Sequence, residues 1–178
     1  MELFTSKGHR VKEKTLMEIK IWAAIFVKLL GINKSSSKNM ANFMDWGLQT
    51  QMKEGFPSNP VSNVTIVPID DESWMLNPTY FLSYGFYDSA KNEIALPESL
   101  YLRACEGCND AIKVVMHEIA HCFLGHKVLL RWSTEGNESR RPEEDSEWQA
   151  DCFANFVLEK MGILPINAMT QLSFDFKE

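Results

Sequence analysis

The sequence predicts an α+β protein: helices first, then a small sheet, then two further helices. Three observations point there. Apolar residues recur at helical spacing over the first fifty or so positions. β-Branched and aromatic runs follow between residues 64 and 97. Two long segments with broad apolar faces then occupy the stretch from residue 109 to residue 161.

The elements can be taken in order. Residues 14–30 read as a first helix, with Gly31 as its stop. After the polar break "INKSSSKN", Ser36 or Ser37 can cap a second helix. On that helix Met40, Phe43, Met44, Leu48 and Met52 share one face, which reads as core packing. Gly55, Pro57 and Pro60 end this N-terminal helical segment, residues 1–60. Residues 64–70 ("VTIVPID") read as a strand, 79–88 ("TYFLSYGFYD") as an extended aromatic one, and 93–97 ("EIALP") as a third. "SAKN" between the last two suits a hairpin turn, so these two strands should pair antiparallel. Asn109 or Asp110 can cap a helix through Leu124 that is apolar on nearly all faces and hence central. The last helix begins near Pro142, with four acids in its first turn and Lys160 near its end, and Gly162 stops it.

Composition narrows the function. With 178 residues, 45% hydrophobic and 24% charged, the chain suits one compact unit with a sizeable core. A formal charge of −6 does not suit gripping a polyphosphate backbone, so no direct nucleic-acid contact is expected. Lys7, Arg10, Lys12, Lys14 and Lys20 cluster near the start. Glu2, Glu13 and Glu18 are interspersed among them, as on a solvated helix face. The uncharged run from Ile21 to Val27 is far shorter than the ~20 residues a membrane span needs. No small-x-small cleavage site follows it, so it reads as a buried or amphipathic helix rather than a leader. Of the four cysteines, Cys122 and Cys152 read as small apolar residues within helices. Cys105 and Cys108 form a lone Cys-x-x-Cys with no second pair to complete a structural zinc site.

The chemistry sits in "HEIAH". His117 and His121 are four apart, so on a helix both can direct a ring nitrogen at one metal ion. Glu118 lies about 100° around the helix from His117 and can reach a water beside the ion without ligating it. Hydrolytic zinc sites usually take three protein ligands and a water. The third has a candidate in "EDSEWQADCFANF", where Glu147 and Asp151 are again four apart on one face. One can ligate the metal, and the other can accept the N–H of a ligand imidazole. The competing reading of these residues is two structural histidines on one helix and two solvated carboxylates on the other.

"HEIAHCFLGH" followed by "SEWQADCFANFVL" resembles the ImmA/IrrE metallopeptidases. Glu147, Ala150, Asp151, Phe153 and Ala154 match the second part of that family's pattern. "GFYDSAKNEIALPESL" is similar to its hairpin before the active-site helix. The resemblance covers residues 64–163 and departs at "FVLEKMG", where many members carry a Leu-Leu-x-Pro run. It implies a zincin-like metallopeptidase domain over residues 61–178, with a small mixed sheet whose edge strand holds an extended peptide. It implies Zn2+ bound by His117, His121 and Glu147, with Glu118 as catalytic acid/base and Asp151 supporting a ligand histidine. It further implies a cytoplasmic protein whose substrate is a protein or peptide, with transcriptional repressors among the family's targets. His126 does not fit the metzincin spacing for a third ligand. No helix-turn-helix segment is recognisable.

Zinc in such a site would activate a water and polarise a scissile carbonyl, with Glu118 moving the proton. Tyr84, Tyr87, His126 and Arg131 are candidate donors to the oxyanion. Three rivals share these residues: a metal-binding module that recognises a partner without cutting it, a zincin of another family such as the ArdC-type antirestriction proteins, and a helical protein without metal.

Overall fold

A computed structural model describes residues 8–44, 64–80, 83–127 and 141–163. Leu48, Met52 and Arg131 lie outside these residues, as do Gly55, Pro57 and Pro60. Among the described residues the protein is α+β, with six helices and a three-stranded mixed sheet.

Helix α1 (Leu16–Leu29) starts at a capping box: Glu18 N–H donates to the Thr15 hydroxyl, and the Glu18 carboxylate accepts from Thr15 N–H. Two unpaired backbone donors are thereby satisfied reciprocally. Gly31 ends it at φ 61, as its position suggests. The expected serine cap on a second helix is not formed. Ser36 Oγ instead accepts from Asn33 N–H, and Ser36–Asn39 winds as a 3₁₀ turn. The short α2 (Met40–Asn42) follows, with Met40 and Met44 buried as the helical spacing indicated.

The sheet has the order β1–β3–β2. β1 (Thr65–Ile69) pairs parallel with β3 (Glu93–Pro97), and β2 (Phe86–Asp88) pairs antiparallel with it. The hairpin expected at "SAKN" is therefore present. Ile94, Ala95 and Leu96 are buried because β3 is central. Pro68 is tolerated in β1 because that strand is an edge, where a missing N–H breaks no ladder.

The second strand is much shorter than the predicted 79–88. After β1, Asp70 caps a short helix α3 (Asp71–Leu76) by accepting from Ser73 N–H. Trp74 of α3 is buried and stacks on Tyr80 with ring centroids 4.8 Å apart. Its indole Nε1–H donates to Ser83 O at 3.2 Å. These contacts hold Tyr80 and Ser83 against α3, and extended pairing begins only at Phe86.

Helix α4 (Glu98–Cys105) leads into the central α5 (Asn109–Phe123). The predicted cap at Asn109 or Asp110 shifts by one or two residues. Cys108 takes the cap position, and Asp110 instead pairs with Arg103. The Cys108 N–H closes α4 on Arg103 O, and the Cys108 carbonyl opens α5 by accepting from Ile112 N–H. Pro142 opens a 3₁₀ turn (Pro142–Glu144) rather than the last helix itself. Helix α6 (Ser146–Lys160) begins after Asp145, whose carboxylate accepts from Glu147 N–H and Trp148 N–H.

α1 and α5 both pack against α6. Phe26, Phe123 and Phe153, one from each helix, meet with centroids 5.3–5.7 Å apart. Phe153 is fully buried there. This contact sets the spacing of α5 and α6, and with it the site between them. Phe153→Ala should cost about 3–5 kcal/mol of stability, and Thr15→Ala about 1 kcal/mol. Urea denaturation of both variants checks the order: equal midpoints would contradict it.

Candidate metal centre

Helix α5 presents His117 and His121 towards α6, which presents Glu147 and Asp151 one turn apart. Ring nitrogen and carboxylate oxygen atoms of His117, His121 and Glu147 all lie within 4.8 Å of one another. His117 Nε2 is 3.1 Å from His121 Nε2 and 3.1 Å from Glu147 Oε2. His121 Nε2 is 3.5 Å from Glu147 Oε1. Cys105 and Cys108 are not part of this group.

The donor set is chemically specific. His117 Nδ1 lies 3.0 Å from Asp151 Oδ1. An ionised carboxylate can only accept, so Nδ1 carries the proton and Nε2 turns a lone pair inward. When His117 carries only that proton, two imidazole lone pairs and a carboxylate face each other with no donor between them. Such a cluster is repulsive unless a cation sits in it. The residues fit a divalent ion with nitrogen and oxygen ligands. This is a candidate metal site of the His-Glu-x-x-His type.

The titrations follow from this crowding. Burial disfavours a charge on His117, but hydrogen bonds to Asp151 and Glu147 raise its pKa to about 10. His121 falls to about 3, first through burial and then through its proximity to His117. Burial also opposes the Glu147 charge, yet the His117 hydrogen bond and both imidazoles hold its pKa below the usual carboxylate range. A proton on His117 and a metal ion are thus alternative ways of placing positive charge here.

Glu118 lines a cleft of about 960 Å³ together with His117, His121, Glu147 and Asp151. It is 8% exposed, and burial raises its pKa to about 7. The backbone N–H of Tyr87 donates to its carboxylate. Gly85 explains how the loop comes so close: a Cβ there would lie 2.7 Å from Glu118 Cγ.

Of the four candidate oxyanion donors, Arg131 lies outside the described residues, and the other three separate. Tyr84 is 46% exposed on the cleft wall. The Tyr87 hydroxyl donates to Asn92 Oδ1 at 3.2 Å. His126 has both ring nitrogens engaged, with His121 Nδ1 at 2.9 Å and Gln149 Oε1 at 3.0 Å. It stands behind His121, away from the ligand cluster.

Sequence reasoning missed three contributors. Gln149 is fully buried two residues after Glu147, and a buried amide on an otherwise apolar helix face is the signal that could have found it. Gly85 stands in "SYGFYD" without a turn to account for it. The third is the segment from residue 8 to residue 14. Its backbone runs against residues 143–146, with Arg10 bridged to Asp145, and its Gly8 abuts Glu147. Gly8 N–H donates to Asp145 and His9 N–H to Ser146 Oγ. Contacts made through backbone atoms leave no side-chain pattern to read.

Comparison of the chain with protein-family models, with curated proteins and with solved structures gives no match. No described helix is long and apolar enough to cross a membrane.

At pH 8, above the Glu118 value and below that of His117, zinc uptake should release at least one proton, the one displaced from His117. The dependence of the calorimetric binding enthalpy on buffer ionisation measures it. Uptake without proton release would contradict the charge placement described.

Proposed function

We propose that this protein is a zinc-dependent metallopeptidase acting on a protein or peptide in the cytoplasm. The observation that carries the reading is a buried glutamate with a raised pKa beside a three-ligand cluster in an open cleft. A purely structural zinc site is usually closed by a fourth protein ligand and needs no such base. The order of motifs, resembling the ImmA/IrrE metallopeptidases, supports the same reading.

His117, His121 and Glu147 would hold the zinc, and Asp151 would hold the His117 ring in place through Nδ1–H. When bound, zinc supplies water activation near neutral pH and polarisation of a carbonyl. Glu118 takes the water's proton and passes it to the leaving amine. A pKa of about 7 suits both halves of that transfer. Its burial keeps the carboxylate poorly solvated, and the Tyr87 amide fixes its direction. Tyr84, on the cleft wall, would donate to the developing oxyanion. Edge strand β2, with Phe86 and Tyr87 on the cleft, supports an extended peptide as substrate. A transcriptional repressor is the first class of substrate to test.

Glu118→Gln should retain zinc and lower peptide hydrolysis by at least ~10²–10⁴-fold. Gly85→Ala should also retain zinc but slow turnover, because the added methyl displaces the Glu118 carboxylate. Cleavage of the repressor, followed by mass spectrometry, reads both. Wild-type rates in Glu118→Gln would overturn the mechanism. Tight partner binding without cleavage by wild type would favour a recognition module instead.

A further inference from the structure

Helix α5 ends in a way that returns a side chain to the metal centre. Gly125 adopts φ 64, Gly125 N–H donates to Cys122 O, and His126 N–H donates to His121 O. This is a Schellman closure, and it sets the residue after the glycine beside the residue five before it. The residue after the glycine is His126, so its imidazole meets the outward face of a candidate ligand. His126 Nδ1 lies 2.9 Å from His121 Nδ1.

The chain of contacts continues inward. His126 Nε2 lies 3.0 Å from Gln149 Oε1. Gln149 Nε2 donates to Lys12 O at 2.9 Å and to Glu143 O at 2.6 Å. Both amide hydrogens are used, so the side chain cannot flip, and Oε1 must face His126 as an acceptor. His126 must then carry its proton on Nε2 and turn the Nδ1 lone pair to His121. His121 in turn must carry its proton on Nδ1, which leaves the Nε2 lone pair facing His117 and Glu147. Every donor in this sequence meets an acceptor, in one direction only.

We propose that His126 and Gln149 form a positioning relay that selects the metal-binding tautomer of His121. The relay starts at the Lys12 carbonyl, so the segment from residue 8 to residue 14 is part of the metal centre's support. Asp151 does the same for His117 by a single carboxylate, whereas His121 is set by a neutral imidazole and an amide. A neutral partner fixes the tautomer without adding negative charge behind the ligand. The inference rests on the metal centre described under the proposed function.

The test combines ring-nitrogen NMR of the zinc-loaded full chain with zinc affinity by chelator competition. In the wild type, His121 should be protonated on Nδ1 and His126 on Nε2. His126→Ala and Gln149→Leu should each weaken zinc binding by ~10–100-fold. Gln149→Glu keeps the acceptor for His126 but loses the same two amide donors as Gln149→Leu, so it should hold zinc more tightly than Gln149→Leu. A His126 proton on Nδ1 overturns the relay, as does equal zinc affinity in the Leu and Glu variants. The NMR reading needs no variant and survives a failure of His126→Ala to fold. A wild type that binds zinc without these tautomers removes the relay alone. A wild type that takes up no zinc removes the metal centre with it.

Discussion

Three electron-pair donors, His117 Nε2, His121 Nε2 and the Glu147 carboxylate, converge between two packed helices, with 3.1–3.5 Å from each imidazole to the other or to a carboxylate oxygen. Like-signed lone pairs at that separation repel unless positive charge is placed among them. Much of the surrounding structure serves to hold them there. The Phe26, Phe123 and Phe153 cluster sets the distance between α5 and α6. The Asp145 cap fixes where α6 begins, and hence where Glu147 falls on its face. Asp151 and His126 then orient the two imidazoles from behind.

Glu118 belongs to the same arrangement but answers to different forces. It shares α5 and the cleft with the histidines, but burial disfavours its charge. The loop that covers it is held from a distance. Trp74 grips Ser83, and two residues later Gly85 lets the backbone press against the carboxylate. A residue with a side chain at position 85 would have to push one of the two away. Pairing with β3 begins at Phe86, immediately after this contact.

What could be read from the sequence was what helical periodicity writes locally. His117 and His121, and Glu147 and Asp151, show their common faces by spacing alone, and the α5–α6 packing brings the two pairs together. The hairpin between β2 and β3 was likewise legible from its turn. Capping was less so, because Ser36 and Asp110 found partners other than their own helix ends. Helix α4 was not predicted, although Pro97 stands before it and Glu98 lies in its first turn. Gln149 and the segment from residue 8 to residue 14 act through buried amides and backbone atoms 137 residues apart in sequence. No local pattern reports such a contact. His126 was singled out from its spacing as unsuited to ligation. Its place behind His121 depends on the glycine turn between them.

The central claim is that these helices hold a metal through two imidazoles and a carboxylate. Zinc K-edge X-ray absorption on tag-free protein tests it most directly. The account requires one zinc per chain, with about two imidazole nitrogens and a carboxylate oxygen near 2.0–2.2 Å. Sulfur scattering near 2.3 Å would place the ion on cysteines instead. That result, or a chain that takes up no zinc at all, would contradict the account.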